Sequence, residues 1–569
     1  MTPAAAAPPP WRAVALVAWL AVATCAGVLF LPLLGGYFIS DDFVPLVLLR
    51  QWQDEGALGS HLLAKFTSSL DAGANHFYRP LSYLTFGLNY LAGGVEPMGW
   101  MAVNIVLHLA SGVLVAFIGV KLSRVKGGAA WAAGAGGAAM FLFAAPGGEV
   151  VAWISGRFDS MATFFTLAAC AAFVSSRRRL DVAWWIALAC GEAALLSKES
   201  AAVMPFAILL LAAATPPADE TPDLAGRARS AIVRASPWLA LAALYLLSRY
   251  FMFGSATQVY GGSDPLATAL APSRWGDVLG QLPTWLEAEF GSRRRFAWIV
   301  ALTLVQVVLA LAVRRGSGYA ALAVAAIVAS TLVLLLPHVA SLPIGLGGRL
   351  FYQTFAFFGV LVAIGLSQAR LRYLMWGATL GAAIFHVAAM HVTLARWQGA
   401  YGQMRGLVQQ LRAFDEALGP GEFALVIVPG PYDGIPFARN AQGGLMLPPL
   451  FGRDDSHRSL VQTNEEIPEV GAKIASGVVR TLRERSVVDF LEGRAIITIT
   501  PEYPTRATCW NTLARTLEPL DVGPQSSTEE YRRKLARAFA ASACAADTGA
   551  RSRSSASRRS PRAGGAGRT

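Results

Sequence analysis

Two adjacent carboxylates, Asp41 and Asp42, stand a few residues beyond the first long apolar run of this 569-residue chain. Asp71, His76 and Arg79 close the same polar stretch. Glu149, Arg157 and Asp159 share a second stretch, Lys198 and Glu199 a third, and His338 and Arg349 border a fourth. Each lies between apolar runs. A carboxylate can take a proton and a cation can hold an anion, so several such loops on one face would make a reaction site at a membrane surface, open to a lipid-borne substrate. The histidines show no metal-ligand spacing, and no obligatory metal or other cofactor is expected, a divalent metal being left open.

Each group also has a plainer role open to it. Asp41 and Asp42 could cap a helix starting at Phe43, since Asp is a good N-cap. Lys198–Glu199 could be a solvated turn, Arg349 a snorkelling interfacial arginine, and His76 and His338 interfacial histidines. Asn104 and His108, four residues apart, could make a helix–helix polar contact. Trp100 and Trp153 fit an aromatic belt. The joint occurrence of the acids and bases on one predicted face favours the functional reading.

The elements that must position these residues are membrane spans. The chain is 54% hydrophobic and 15% charged, whereas soluble domains carry about 25% charged residues. That deficit excludes a disordered chain and argues against a purely soluble one. Five cysteines exclude a disulfide scaffold, and glycine and proline follow no collagen period. Apolar runs at 13–34, 100–120, 129–145, 160–175, 182–196, 201–215, 237–253, 296–313, 318–336, 350–367 and 373–391 predict about eleven helices. The first could be a cleaved signal peptide, with a weak site at Ala21–Val22–Ala23. Ten further runs favour an uncleaved helix.

Lys and Arg in alternate loops set the orientation. Arg12, then Lys121, Arg124 and Lys126, then Arg177, Arg178 and Arg179 begin one set; Arg227, Arg229 and Arg234, Arg314 and Arg315, and Arg370 and Arg372 complete it. The opposite short loops hold Arg157, Lys198 and Arg349. The first set is therefore read as cytoplasmic, with residues 1–12. The polar clusters, the long loops 35–99 and 254–295 and everything beyond the last span are read as outer. The net charge of +12 thus reflects topology and an Arg/Ser/Gly-rich tail over 549–569, read as disordered, rather than nucleic-acid binding.

The character changes after residue 391. Residues 395–418 read as an amphipathic helix ended by Gly419–Pro420. Ala424–Val428 and Ala495–Ile499 read as buried strands of a small domain over 394–548. Cys509 and Cys544 lie in it and could pair outside the membrane. The chain reads as an α-helical polytopic membrane protein, its membrane domain spanning 13–393, with a small C-terminal α/β extracytoplasmic domain.

The stretch Tyr78-Arg-Pro-Leu-Ser-Tyr-Leu-Thr-Phe-Gly-Leu-Asn-Tyr-Leu-Ala-Gly-Gly94, with Pro97 and Asn104-Ile-Val-Leu-His108, resembles membrane glycosyltransferases of the GT-C fold. The likeness is to the protein O-mannosyltransferase-like group with tetratricopeptide tails. Glu149–Asp159 resembles that group's second outer loop, Leu196-Ser-Lys-Glu-Ser200 its Lys-Glu turn, and Gly348-Arg-Leu-Phe-Tyr352 its later Arg-Tyr segment. Two departures stand out. Ala145-Pro146-Gly-Gly replaces the usual His-Pro before the second-loop Glu, and the α/β domain replaces the repeat array.

The resemblance, over about residues 35–355, implies a transferase with a polyprenyl-phosphate-linked sugar as donor and a protein, lipid or glycan hydroxyl as acceptor. It implies an acidic general base in the first outer loop, Asp42 first and Asp41 second. An inverting displacement needs such a carboxylate and cations near the leaving phosphate, for which Arg349, Arg157, Lys198 and Arg79 are candidates. His76, Glu149, Asp159, Glu199 and His338 complete the expected site. A lipid-linked glycan flippase, a surface-polysaccharide polymerase or ligase, and a receptor-like binder are the alternatives. A flippase would place charges through the bundle interior, where few occur. Richness in Ala, Gly and Arg suggests a high-GC bacterium, hence an inner-membrane protein with a periplasmic face.

Overall fold

In the computed structural model, all eleven apolar runs are helical. The structure describes residues 10–68, 77–176, 179–216, 223–258, 265–290, 292–312, 317–339, 347–419, 422, 424–439, 441, 445, 459–467, 506–523 and 528–545. Among them, eight helices are long and apolar enough to cross a membrane: Trp11–Gly35, Pro97–Ser123, Ile154–Ser175, Leu224–Phe253, Arg293–Leu311, Gly318–His338, Gly348–Gln368 and Arg372–Glu416. Three shorter apolar helices, Gly128–Leu142, Val182–Leu195 and Glu199–Ala214, account for the other runs. The chain is an integral, multi-pass helical membrane protein.

Local signals set the helix ends. Pro97 and Pro80 open their helices at positions where no backbone donor is needed. Asp181, Asp223 and Ser292 cap theirs by accepting the backbone N–H of Trp184, Gly226 and Arg295. The Gly348–Gln368 helix is the axis of the bundle: 83% of its apolar window is buried, against 22% for Trp11–Gly35 and Leu224–Phe253. The outer helices turn Leu16, Val17, Leu20, Leu244, Leu247 and Phe251 outward, as lipid-facing spans must.

The described fold departs from the sequence expectation in two places. The span at 373–391 and the helix at 395–418 are one 45-residue helix, Arg372–Glu416. Residues 392–394 are Val-Thr-Leu, so polarity changes there but nothing breaks the helix. The first long loop, 35–99, also carries helices, Phe43–Asp54, Leu58–Ala64 and Pro80–Gly93.

The chain packs as two compact units. One comprises Met1–Phe38, Trp52–Gly399 and Asp433–Ile435; the other comprises Ile39–Gln51, Ala400–Tyr432 and Pro436–Thr569. The short segment carrying Asp41 and Asp42 therefore packs with the C-terminal part of the chain. That unit holds a four-stranded sheet of order β2-β1-β3-β4, with β1 Ala424–Val428, β2 Ser459–Thr463, β3 Arg506–Asn511 and β4 Thr516–Pro519. β1 pairs parallel with β2 and β3, and β3 antiparallel with β4. All five β1 residues are buried, as expected of a central strand. Cys509 in β3 is bonded to Cys544, beyond the Thr528–Ala541 helix, with Cα atoms 6.3 Å apart. The strand expected at Ala495–Ile499 and the tail 549–569 lie outside the described residues.

Candidate functional site

In the helical unit the acids and bases fall at helix ends and join in pairs. Arg79 immediately precedes the Pro80–Gly93 helix. Its Nε donates to both oxygens of Glu199 at 3.1 Å, and its Nη2 to Oε2 at 2.8 Å. Glu199 follows Lys198 in the link between Val182–Leu195 and Met204–Ala214. Lys198 Nζ donates to both oxygens of Asp159, in the first turn of Arg157–Ser175, at 2.6 Å. A third cation, Arg249, lies 3.8 Å from Glu199. Its Nε and Nη2 also donate to the carbonyls of Ala256 and Gln258.

Glu149 and Arg349 form a further pair. Glu149 sits in the short helix Gly147–Ala152, deeply buried. Its Oε2 accepts the backbone N–H groups of Gly347 and Arg349 at 3.0 and 3.1 Å. Its Oε1 has no hydrogen-bond partner among the described residues; Arg349 Nη1 is 3.8 Å from it. The Arg349 guanidinium lies 4.7 Å over the Trp153 ring. Gly347 has φ +113°, a conformation that favours glycine and turns the chain so that both N–H groups meet one carboxylate. Burial pushes the Glu149 carboxyl above its usual range, against the opposing pull of Arg349 and the two N–H groups.

In the Ala145-Pro146-Gly-Gly segment, Gly148 serves close packing. A Cβ at Gly148 would lie 2.9 Å from Met390 Sδ and 3.0 Å from Thr393 Cγ2, so this helix sits tight against Arg372–Glu416. His108 Nε2 faces the Leu142 carbonyl at 3.0 Å, an acceptor only, so this nitrogen carries the proton. Its Nδ1 then accepts from the Tyr352 hydroxyl at 2.7 Å. Asn104 donates to the carbonyls of Trp153 and Ile154.

Three expectations need correction. Arg157 is fully buried and donates to Asn104, Asn89 and the carbonyls of Thr85 and Trp100, so it braces the helices rather than facing a ligand. Trp100 and Trp153 are buried, not belt residues; they lie under Arg157 and Arg349. Lys198 and Glu199 are not a solvated turn, since both are held in ion pairs. His338 sits half-buried in the last turn of Gly318–Val339. His76 and Asp71 lie outside the described residues. No group of acids, His and Cys fit to hold a metal occurs among the described residues. Arg249 was missed because it lies inside an apolar run. A cation at the cation-poor end of a span was the available signal.

In the other unit, Ser40–Asp42 form a short 3-10 turn before the Phe43–Asp54 helix. Asp42 is 1% exposed, and its Oδ2 accepts the Ile39 N–H at 3.0 Å. It lies within electrostatic reach of the buried Tyr401 hydroxyl. Asp41 is half-buried. Asp42 thus anchors the turn through this bond, and Asp41 is the more accessible of the two carboxylates.

No family model matches the chain. The chain is similar to protein O-mannosyl-transferases. It is 33% identical over 186 residues to protein O-mannosyl-transferase Tmtc1 of Drosophila melanogaster, covering 31% of this chain and 20% of the relative. It is 34% identical over 216 residues to human TMTC4, covering 35% and 28%. The match thus spans between a fifth and just over a quarter of those relatives. Among solved structures, the chain is similar to ArnT from Cupriavidus metallidurans bound to undecaprenyl phosphate. That likeness has 13% identity and a TM-score of 0.40, and covers 81% of this chain and 90% of that one.

Proposed function

We propose that the protein is a membrane glycosyltransferase of the GT-C type that moves a monosaccharide from a polyprenyl-phosphate donor to an acceptor hydroxyl. The observation that carries this reading is the cationic end of the helical unit. Arg79, Lys198, Arg249 and Arg349 gather there with the carboxylates of Glu149, Asp159 and Glu199. Four cations clustered at the end of membrane helices supply donors that suit an anion held there. A lipid-borne phosphate meets that description. The likeness to protein O-mannosyl-transferases supports sugar transfer as the reaction.

In the proposed reaction the acceptor oxygen attacks the anomeric carbon and the bond from that carbon to the phosphate oxygen breaks. The acceptor proton passes to a carboxylate, and polyprenyl phosphate leaves. Asp41 is the carboxylate assigned to the proton, with Asp42 holding the turn. Arg349 is assigned to the leaving phosphate, where negative charge builds; Lys198 and Arg79 reinforce the field. The configuration inverts in a single displacement. The site is assigned to the outer face of a bacterial inner membrane. The disulfide between Cys509 and Cys544 supports placing the C-terminal domain on an oxidising side.

The test is transfer itself. The protein in nanodiscs is given radiolabelled polyprenyl-phosphate mannose and, as acceptor source, membranes from cells lacking it. Labelled acceptor and released polyprenyl phosphate are the expected outcome. Movement of intact donor across a vesicle bilayer with no cleavage would favour the flippase reading instead.

A further inference from the structure

Ser40 adopts φ +55°, a left-handed conformation that a serine rarely takes. It is 2% exposed. Two contacts hold it: its N–H donates to the Phe437 carbonyl at 3.1 Å, and its hydroxyl to the Arg439 carbonyl at 2.6 Å. The strap that carries those carbonyls is itself anchored. Phe437 and Ala438 are fully buried, and the Ala438 N–H donates to the Gly430 carbonyl at 3.1 Å. Gly430 follows β1 by two residues, and its N–H donates to Asn464, directly after β2. A continuous chain of hydrogen bonds thus runs from the carboxyl ends of β1 and β2, through 437–439, to the residue before Asp41. The turn is closed from its own side by Asp42, which accepts the Ile39 N–H, and by the Asp42 N–H to the Ile39 carbonyl.

We propose that Ser40 is a positioning residue and that the C-terminal α/β domain, through the 437–439 strap, sets the conformation of the Asp41 turn. A left-handed serine persists only where the surroundings over-determine it, and here they are two carbonyls of a distant segment. The C-terminal domain therefore contributes to the chemistry of the turn. The activity arm of this inference rests on the transferase reading; the exchange arm does not.

The experiment compares Ser40→Ala, Ser40→Gly and wild type as full-length protein in nanodiscs. Hydrogen–deuterium exchange of peptides across 37–46 is read against peptides from Gly348–Gln368. Glycine takes φ +55° without strain, so Ser40→Gly removes the hydroxyl without threatening the fold. Both variants should exchange faster across 37–46 and unchanged in the central helix. In sugar transfer, Ser40→Ala should lower kcat by about tenfold at constant donor KM, since a misplacement of about 1 Å already costs on the order of 10²-fold. In an Asp41→Asn background it should cost less than about twofold more, because the two act through one group. Wild-type exchange across 37–46 in Ser40→Gly would overturn the hydroxyl clamp. Fully additive losses would overturn its action through Asp41. A wild type that transfers no sugar would sink the transferase reading while the exchange data still decide the clamp.

Discussion

Replacing Arg349 by lysine separates two roles that its position alone allows. A snorkelling arginine is replaceable, since lysine keeps the charge at the same depth. A phosphate-holding arginine is not, because lysine lacks the planar fork. The structure sets the size of the effect. The stack over Trp153 at 4.7 Å is worth about 0.5–2 kcal/mol, and one lost charge-assisted hydrogen bond to a donor phosphate about 1.5–3 kcal/mol. The second figure corresponds to roughly 10- to 100-fold in kcat/KM for the donor, at about 1.4 kcal/mol per tenfold. Folding should suffer little, because lysine still faces Glu149 across a pair that is already loose at 3.8 Å. Initial rates in nanodiscs, with donor and acceptor varied separately, read the result. The donor kcat/KM should fall while the acceptor KM and the amount of folded protein hold. Unchanged donor kinetics in Arg349→Lys would refute the phosphate role.

Asp41→Asn should slow transfer by roughly 10²-fold or more, whereas Asp42→Asn should cost far less, because an amide oxygen can still accept the Ile39 N–H; relative rates at matched protein levels decide between them, and the opposite order would restore Asp42 as the base. Burial raises the Glu149 carboxyl pKa in the folded protein, so its linkage favours folding below the ordinary carboxyl range and that contribution is lost as pH rises through the raised value. Thermal midpoints of wild type and Glu149→Gln across pH 4 to 8 should therefore show a wild-type-specific decline toward higher pH; parallel curves would show that Glu149 does not titrate in that window. Cys509 and Cys544 are 35 residues apart, and a loop of that length is worth about 4 kcal/mol in the chain-entropy account, so Cys544→Ala should expose the 506–523 region to proteolysis at temperatures the wild type resists. Alkaline phosphatase fused after Arg405 should be active and after Arg124 inactive; the reverse would overturn the orientation.

The spans were legible because hydropathy is a local property. Every apolar run is a helix, and the loop acids and bases of the described helical unit do gather at helix ends. Pairing was not legible. Arg79 meets Glu199 across 120 residues and Lys198 meets Asp159 across 39, and nothing in either local sequence names the partner. Burial was misjudged for the same reason. Arg157 looked like a free loop cation, yet Asn104 and Asn89, from two other helices, close around it. Charge pattern also hid the association of Ile39–Gln51 with the C-terminal unit. The segment is short, with an apolar run from Phe43 to Leu49, and its partners at 437–439 are backbone carbonyls, which carry no sequence signature.

In the proposed reaction, the carboxylates of the cluster would also set which cation an incoming phosphate engages. Each cation at a membrane-helix end is costly without a counter-charge, so the acids make the unliganded cluster tolerable, and a phosphate must compete with them. Arg79 is held by Glu199 through three short hydrogen bonds, with its guanidinium also 4.1 Å from the Phe77 ring. Lys198 is held by both oxygens of Asp159. Arg349 faces its carboxylate at 3.8 Å, while the opposite oxygen of that carboxylate is already occupied by two backbone N–H groups. Glu149 keeps these backbone contacts when Arg349 turns toward a phosphate, whereas Asp159 would lose its contacts with Lys198 and Glu199 its three bonds from Arg79. The order in which the cations should yield to phosphate is Arg349, then Lys198, then Arg79, with Arg157 outside the series. Substitutions by methionine along that series should raise donor KM most for Arg349, while loss of folded protein should be greatest for Arg157 and Arg79. If Lys198→Met raised donor KM more than Arg349→Met at equal stability, the strength of the ion pairs would not be what sets the choice.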